Sequence, residues 1–330
     1  MKVNHVLSTS QFSDTRLLER LFALADEMES RNTDQKLFQS LQGKILATVF
    51  YEPSTRTRFS FEAAMHRLGG RVISTESASQ FSSMTKGETL EDTIKIIAGY
   101  SDAIVLRHPE EGSAARAAKV SRVPIINAGD GSGEHPTQAL LDLYTIRKEL
   151  GDVRGKRIAL MGDLRYGRTV HSLINLLILY EGVEIILVSP PELRLPEVYQ
   201  QLLSTHGIPF TEHPHLSPIT HDLDVVYMTR VQRERFVDDA QYQKVRNSCV
   251  LDARNLVYLS PHTIIMHPLP RVNEIHPSID ADPRATYFRQ AQNGLFIRMA
   301  LLELLFEQKF LEQETLSQHN PAVMPAQKRT

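Results

Sequence analysis

The sequence predicts an α/β protein of two domains, each a mainly parallel sheet covered by helices. Three observations carry that expectation. Short runs of consecutive apolar residues, such as 44–51 (KILATVFY) and 183–188 (VEIILV), alternate with amphipathic runs along most of the chain. Strands that are apolar throughout, rather than at every second position, are buried on both faces, as in parallel sheets flanked by helices. The alternation breaks near Gly151 and restarts, and 330 residues is about twice an ordinary domain length of ~150.

The elements follow in order. Asp14 is a fair N-cap for a first helix on which Leu17, Leu18, Leu21, Phe22, Leu24 and Ala25 recur at helical spacing. Residues 44–51 read as a buried strand, 57–68 as a helix stopped by Gly69-Gly70, and 71–75 as a strand. Residues 89–100 form a helix with Leu90, Ile94, Ile97 and Ala98 on one face; 102–107 (DAIVLR) and 123–127 are strands. A helix over 136–150 has Pro136 in its first turn and Gly151 just past its end. After the break come a strand at 156–162, a helix at 169–180, a strand at 183–188, and further strand candidates at 224–228 and 263–266. A final helix at about 289–310 carries Leu295, Met299, Leu302, Leu305 and Phe306. The expected division is a first domain over 1–150, completed by a C-terminal helix at about 288–312, a second over 151–287, and a mobile tail over 313–330.

Composition narrows the function. With 42% apolar and 23% charged residues the chain can bury a sizeable core. The formal charge of −2, from 37 basic and 39 acidic residues, argues against a nucleic-acid binder with a wholly basic surface and leaves room for a local basic pocket. Cys249 is alone, so no intrachain disulfide can form and a Cys-based metal site is not expected. A reducing, cytoplasmic setting fits. The N-terminal stretch lacks the apolar run of a secretory signal. The longest apolar stretch, 173–180, is interrupted by Asn175 and falls far short of the ~20 residues that span a bilayer. No metal, cofactor, nucleic acid or membrane partner is expected.

In open α/β sheets ligands bind where strands end and helices begin, and six such junctions carry polar chemistry. In FYEPSTRTRFSFE, Ser54, Thr55, Arg56, Thr57 and Arg58 open a helix directly after a buried strand. Unpaired N–H groups at a helix start, with hydroxyls and guanidinium groups, suit phosphate oxygens. The ordinary alternative is a capped helix with two solvated arginines. His135-Pro136-Thr137-Gln138 opens another helix after the turn at 127–134, either as a cap or as an imidazole and an amide aimed into a cleft. Arg107 ends the strand DAIVLR, as a binding group or as a surface residue. The stretch 162–169 (GDLRYGRT), with Arg168, joins a strand to a helix without the GxGxxG of a dinucleotide loop. Arg230 and Gln232 follow the strand at 224–228, and two more arginines at strand ends suggest a substrate carrying carboxylates. Finally, His267-Pro268-Leu269-Pro270 follows the strand at 263–266 and exposes carbonyl acceptors, because proline has no N–H. Cationic donors outnumber acceptors throughout, as a cleft that stabilises developing negative charge requires.

Together these segments resemble the catalytic chains of the aspartate carbamoyltransferase (aspartate transcarbamoylase) family over about residues 4–312. STRTR (54–58) is shared by transcarbamoylases in general. FSSMTKGETLEDT (81–93), HPTQALLD (135–142), GDLRYGRTVHSL (162–173), YMTRVQRERF (227–236) and MHPLPRVNEI (266–275) are more specific to the aspartate enzyme and occur in that order. The HCLP and SMG segments of ornithine transcarbamoylases are absent. The resemblance implies transfer of the carbamoyl group from carbamoyl phosphate to L-aspartate, an early step of pyrimidine synthesis. It implies that Ser54, Thr55, Arg56 and Thr57 hold the phosphate, that Arg107 and Gln138 also contact carbamoyl phosphate, and that Thr57, Arg107 and His135 point at the carbamoyl oxygen. The carbonyls of Leu269 and Pro270 receive the carbamoyl NH2 or the aspartate amine, and Arg168, Arg230 and Gln232 grip the aspartate carboxylates. Ser82 and Lys86 match loop residues that reach a neighbouring subunit's site, which implies a homotrimer with shared active sites.

The first domain is then the carbamoyl-phosphate-binding domain and the second the aspartate-binding domain. His135 is expected to act as a neutral donor, and the departing phosphate is left to accept the amine's proton. Some positions depart from the pattern. Met84 and Thr85 stand where some relatives have Gly and Lys, Arg165 replaces a Lys common in regulated bacterial forms, and the stretch after Phe236 differs from those forms in length and charge. Residues 281–305 look closer to stand-alone trimers, such as those of plants, so the reading leans away from a regulatory chain. The alternatives are a transcarbamoylase with another amine acceptor, such as ornithine, and an inactive trimeric scaffold for a partner enzyme.

Overall fold

The computed structural model describes residues 5–33, 39–76, 87–216, 222–236 and 238–318. A helix α1 (Thr15–Thr33) leads into an alternation of strands and helices: β1 (Ile45–Phe50), α2 (Thr55–Arg67), β2 (Arg71–Glu76), α3 (Leu90–Ile97), β3 (Ala103–His108), α4 (Ser113–Val120), β4 (Ile125–Asp130) and α5 (Pro136–Leu150). A second series follows: β5 (Arg157–Met161), α6 (Arg168–Leu177), β6 (Glu184–Val188), α7 (Glu197–Thr205), β7 (Phe210–His213), β8 (Val225–Met228), α8 (Asp239–Val245), β9 (Ile264–Met266) and α9 (Tyr287–Gln318).

The strands form two sheets, ordered β2-β1-β3-β4 and β7-β6-β5-β8-β9, parallel at every pairing. The two-sheet α/β class expected from the apolar runs is the one observed. β3 and β4 are buried along almost their whole length because helices cover both faces. β2 and β7, at the sheet edges, are partly exposed.

Each sheet has one place where neighbouring strands send their connections in opposite directions. That place is the β1/β3 pair in the first sheet and the β5/β8 pair in the second. A crevice opens there, at the carboxyl ends of the strands. The two crevices set the position of the site.

α5 runs between the two halves. Its residues from Pro136 to Ile146 are all buried, since it packs on α6 and on α9 as well as on its own sheet. α9 returns to the first half and packs across α1, α2 and α5. Phe22, Phe61 and Phe296 are fully buried in that layer, each contributing about 1.5–3 kcal/mol by leaving water.

Several expectations need correction. α4 was not foreseen because the face that SAARAAKV buries consists of Ser113, Ala114 and Ala117, with no large apolar side chain among them. α7, α8 and β7 were also missed, β7 being a four-residue edge strand with polar, exposed positions. α9 runs on to Gln318, so the start of the stretch expected to be a mobile tail is helical. No helix of the described residues is long and apolar enough to cross a membrane.

Candidate active site

The carboxyl ends of β1, β3, β5, β8 and β9 converge, with α9, on one cavity of about 720 Å³. From the first half it is lined by Glu52 through Thr57, Arg107, His135 and Gln138. From the second come Arg168, Thr229, Arg230, Gln232, Arg235 and the turn His267–Pro270, and Gln290 and Arg298 close it from α9. Six of the described lining residues are arginines, and one, Glu52, is an acid. A cleft so biased attracts a ligand with more than one anionic group.

Three helices begin at this cavity. α2 starts at Ser54, α5 at His135 and α6 at Gly167, and none of the three has its first-turn N–H groups taken by an N-cap side chain. On α2 the first-turn N–H groups remain for an anion, as do the positive dipole ends of all three helices, whereas on α5 and α6 the Gln138, Arg168 and Val170 N–H groups already meet nearby backbone carbonyls. The capped-helix alternative for STRTR therefore does not apply, since the Ser54 side chain makes no cap hydrogen bond. The two arginines of that motif part company. Arg56 lines the cavity, whereas Arg58 pairs with Glu76 at 2.9 Å and with Glu62 at 3.7 Å, fastening α2 to β2.

The arginines crowd one another. Burial and the neighbouring Arg168 bring Arg107 down to about 10, and burial and Arg230 lower Arg56. Both stay charged at neutral pH. The Arg107 Nε lies 3.6 Å from Glu52 Oε2, and its Nη1 donates to the Ala128 carbonyl at 3.4 Å. Gly129 makes this possible: a Cβ there would sit 3.3 Å from Arg168 Nη2 and 3.4 Å from Arg107 Nη1, and its φ of +116° disfavours any other residue. Three residues on from Ala128, Gly131 O takes Arg168 Nη1 at 2.5 Å and Arg235 Nη2 at 3.0 Å. One loop of the first half thus holds two guanidinium groups of the second.

His135 is only 4% exposed, and its Nδ1 has no hydrogen-bond partner in the structure. Burial, then Arg168, Arg107 and Arg298, hold its pKa well below the usual imidazole value. The ring is neutral at physiological pH, as a hydrogen-bond donor to an oxyanion must be if it is not to act as an acid.

The turn after β9 is held by a second histidine. His267 Nδ1 accepts the Leu269 N–H at 2.7 Å, so the ring proton sits on Nε2, which meets Glu274 Oε1 at 2.8 Å. Leu269 has a φ of +54°, a left-handed conformation that these contacts maintain. Pro268, Leu269 and Pro270 all line the cavity. In the second half, Gln232 Nε2 donates to the Tyr166 carbonyl at 3.1 Å.

Ser54, Thr55, Arg56, Thr57, Arg107, His135, Gln138, Arg168, Arg230, Gln232, Leu269 and Pro270 are thus brought to one cavity. Ser82 and Lys86 lie outside the described residues. Arg235, Gln290 and Arg298 join them without having been singled out. Arg298 carried a signal: a single cation within the apolar run LFIRMALLELL. It is fully buried over the Phe61 ring at 5.0 Å, and burial brings it down to about 10. Gly294 gives it room, since a Cβ there would meet its Nη1 at 2.5 Å.

Paired parallel sheets meeting over a cationic cleft define a protein that holds small polyanions between two domains. Comparison with known proteins agrees in detail. Residues 4–148 match the carbamoyl-P binding domain of aspartate/ornithine carbamoyltransferases, and residues 154–305 match their Asp/Orn binding domain. The aspartate carbamoyltransferase catalytic subunit of Methanocaldococcus jannaschii is 51% identical over 305 residues, 92% of this chain and 98% of that one. The chloroplastic aspartate carbamoyltransferase of Arabidopsis thaliana is 50% identical over 305 residues, covering 92% of this chain and 78% of the relative. A crystal structure of aspartate transcarbamoylase from Trypanosoma cruzi, in complex with carbamoyl phosphate and aspartate, is 42% identical. It superposes with a TM-score of 0.87 over 92% of this chain and 97% of that chain. The chain belongs to the aspartate/ornithine carbamoyltransferase family, and within it these three relatives are all aspartate enzymes.

Proposed function

We propose that this chain catalyses transfer of the carbamoyl group from carbamoyl phosphate to the amino group of L-aspartate, giving N-carbamoyl-L-aspartate and phosphate in pyrimidine synthesis. The observation that carries the reading is the meeting of the uncapped start of α2, on the first half, with Arg168 and Arg230 on the second, across one cavity. The first suits a phosphate and the second a dicarboxylate.

Carbamoyl phosphate binds with its phosphate on Ser54, Thr55, Arg56 and Thr57. Its carbonyl oxygen faces Thr57, Arg107 and His135, and its NH2 faces Gln138 and the carbonyls of the turn at 268–270. Aspartate follows, its carboxylates on Arg168, Arg230 and Gln232. The neutral amine attacks the carbamoyl carbon, the N–C bond forms, and negative charge grows on the oxygen held by the three donors. The C–O bond to phosphate then breaks, and the leaving phosphate takes the amine's proton. Each donor fixed for the oxyanion contributes about 10²–10³ in rate, and holding both substrates adds an effective-concentration gain.

The working unit is a homotrimer with Ser82 and Lys86 of one subunit completing the site of the next. The exposed apolar Phe59 on α2 and Ile73 on the edge strand β2 support a subunit contact near that loop. No regulatory chain is required, and the single, buried cysteine suits the cytoplasm.

The test is ureido-product formation by the purified protein from carbamoyl phosphate with L-aspartate or L-ornithine. Product with aspartate alone is expected. Product with ornithine would overturn the assignment of the second-half arginines, and product with neither would overturn the reaction.

A further inference from the structure

Beneath the cleft, and out of its reach, sits one buried carboxylate on which three elements converge. Asp142 lies one helical turn after Gln138 on α5 and is fully buried. Its Oδ1 accepts Gln138 Nε2 at 2.8 Å and Gln290 Nε2, from α9, at 2.6 Å. Its Oδ2 accepts the Tyr227 hydroxyl, from β8, at 2.7 Å. Resting on the reading of the cleft as a carbamoyl phosphate site, we infer that Asp142 is a positioning residue, turning the Gln138 amide so that its carbonyl oxygen faces the carbamoyl NH2.

The argument is one of donors and acceptors. An amide has a donating end and an accepting end of nearly the same shape, and its neighbours decide which way it lies. A carboxylate only accepts, so the end of Gln138 that meets Oδ1 is its NH2, and the other end presented to the cavity is the oxygen. Burial pushes the Asp142 carboxyl up to about 7, against the pull of Tyr227, Gln290, Gln138 and the Arg298 guanidinium. The orientation is indifferent to that titration. A proton on Oδ2, beside the rotatable Tyr227 hydroxyl, leaves Oδ1 accepting from both amides. Gln290 is set by the same atom, and its Oε1 accepts the His267 N–H at 2.8 Å. One carboxylate oxygen thereby orients Gln138 directly and, through Gln290, the start of the turn that carries Leu269 and Pro270. Both groups present acceptors, which is what an NH2 needs and a methyl group cannot use.

That difference supplies the test. Acetyl phosphate carries a methyl where carbamoyl phosphate carries NH2. For the whole protein the preference is the ratio of the acetyl phosphate inhibition constant to the carbamoyl phosphate KM. In Asp142→Leu the Gln138 amide loses its fixed partner, and the preference is expected to fall about tenfold, the value of one hydrogen bond to a neutral group. A loss of stability alone would weaken both compounds equally. Asp142→Asn keeps an oxygen at the Oδ1 position and turns its NH2 to the Tyr227 oxygen, so its preference should stay within about threefold of the parent's. Retention of the full preference by Asp142→Leu, or its loss in Asp142→Asn, overturns the inference. If Asp142→Leu fails to fold, the Asn variant still decides. A parent protein that shows no preference, or binds neither compound, would instead overturn the reading of the cleft.

Discussion

Replacing His135 with alanine puts the greatest demand on the mechanism. The ring is buried at the start of α5, among Arg107, Arg168 and Arg298, and is neutral because those charges and burial oppose a proton. In the proposed mechanism it is one of three donors to the oxygen on which charge grows, and removing a donor of this kind costs about 10²–10³ in kcat, or about 2.7–4 kcal/mol. The same mechanism draws the phosphate contacts from α2, which the substitution leaves untouched, so the carbamoyl phosphate KM should move by no more than about threefold. His135→Gln, which keeps an N–H, should recover part of the loss. The assay is steady-state product formation at saturating substrates between pH 6 and 9. Because the ring is already uncharged across that range, the variant's pH profile should be lower but parallel to the parent's. A kcat within about threefold of the parent, or disappearance of an acid limb near pH 6.5, would refute the neutral-donor reasoning.

Other outcomes are equally open to measurement. Mixing and reassembling Lys86→Gln and Arg107→Ala chains, each inactive alone, should restore about a quarter of the native sites in random trimers; no recovery would count against shared sites. Asp142 has a folded pKa of about 7 against an ordinary 3.8. Between these values the native state holds the extra proton, so stability conferred at low pH is lost as pH rises from about 4 to 7. That loss has an upper bound of roughly 4 kcal/mol. Asp142→Asn should abolish this slope in thermal melts across that range, and an unchanged slope would assign it elsewhere. Arg298→Met should raise the melting temperature, because among the described residues no carboxylate lies within salt-bridge distance of the guanidinium, while weakening phosphate binding several-fold. Gly129→Ala should destabilise the protein by about 1–3 kcal/mol through its positive φ and push two guanidinium groups apart, raising KM for both substrates.

The sequence made the layers legible because parallel strands leave their signature in unbroken apolar runs, such as 44–51 and 183–188. It failed where burial is slight: β7 lies at an edge with polar positions, and α4 buries only small side chains. The cleft was legible as a set of strand ends, since Arg56, Arg107, Arg168 and Arg230 each follow an apolar run. What could not be read were residues that act across elements. Arg298 lies on α9, far along the chain from its Phe61 neighbour, and nothing local tells a buried cation from a misplaced one. Arg56 and Arg58 looked alike in STRTR and were separated only by Glu62 and Glu76, which claim the second.

The return of α9 onto α1, α2 and α5 bears on how the chain is made. The first sheet's helices are complete by Leu150, yet the helix that covers them begins at Tyr287. At about 5–20 residues per second a ribosome needs roughly 7–30 s to deliver that segment. For all that time the apolar faces holding Phe22 and Phe61 lack their cover, while the second sheet is already emerging. The N-terminal half is therefore translated first but finished last. Contacts between α1 and α9, so far apart in sequence, place its completion among slow, high-contact-order folding events, when a chaperone that shields apolar surface would be most useful to it.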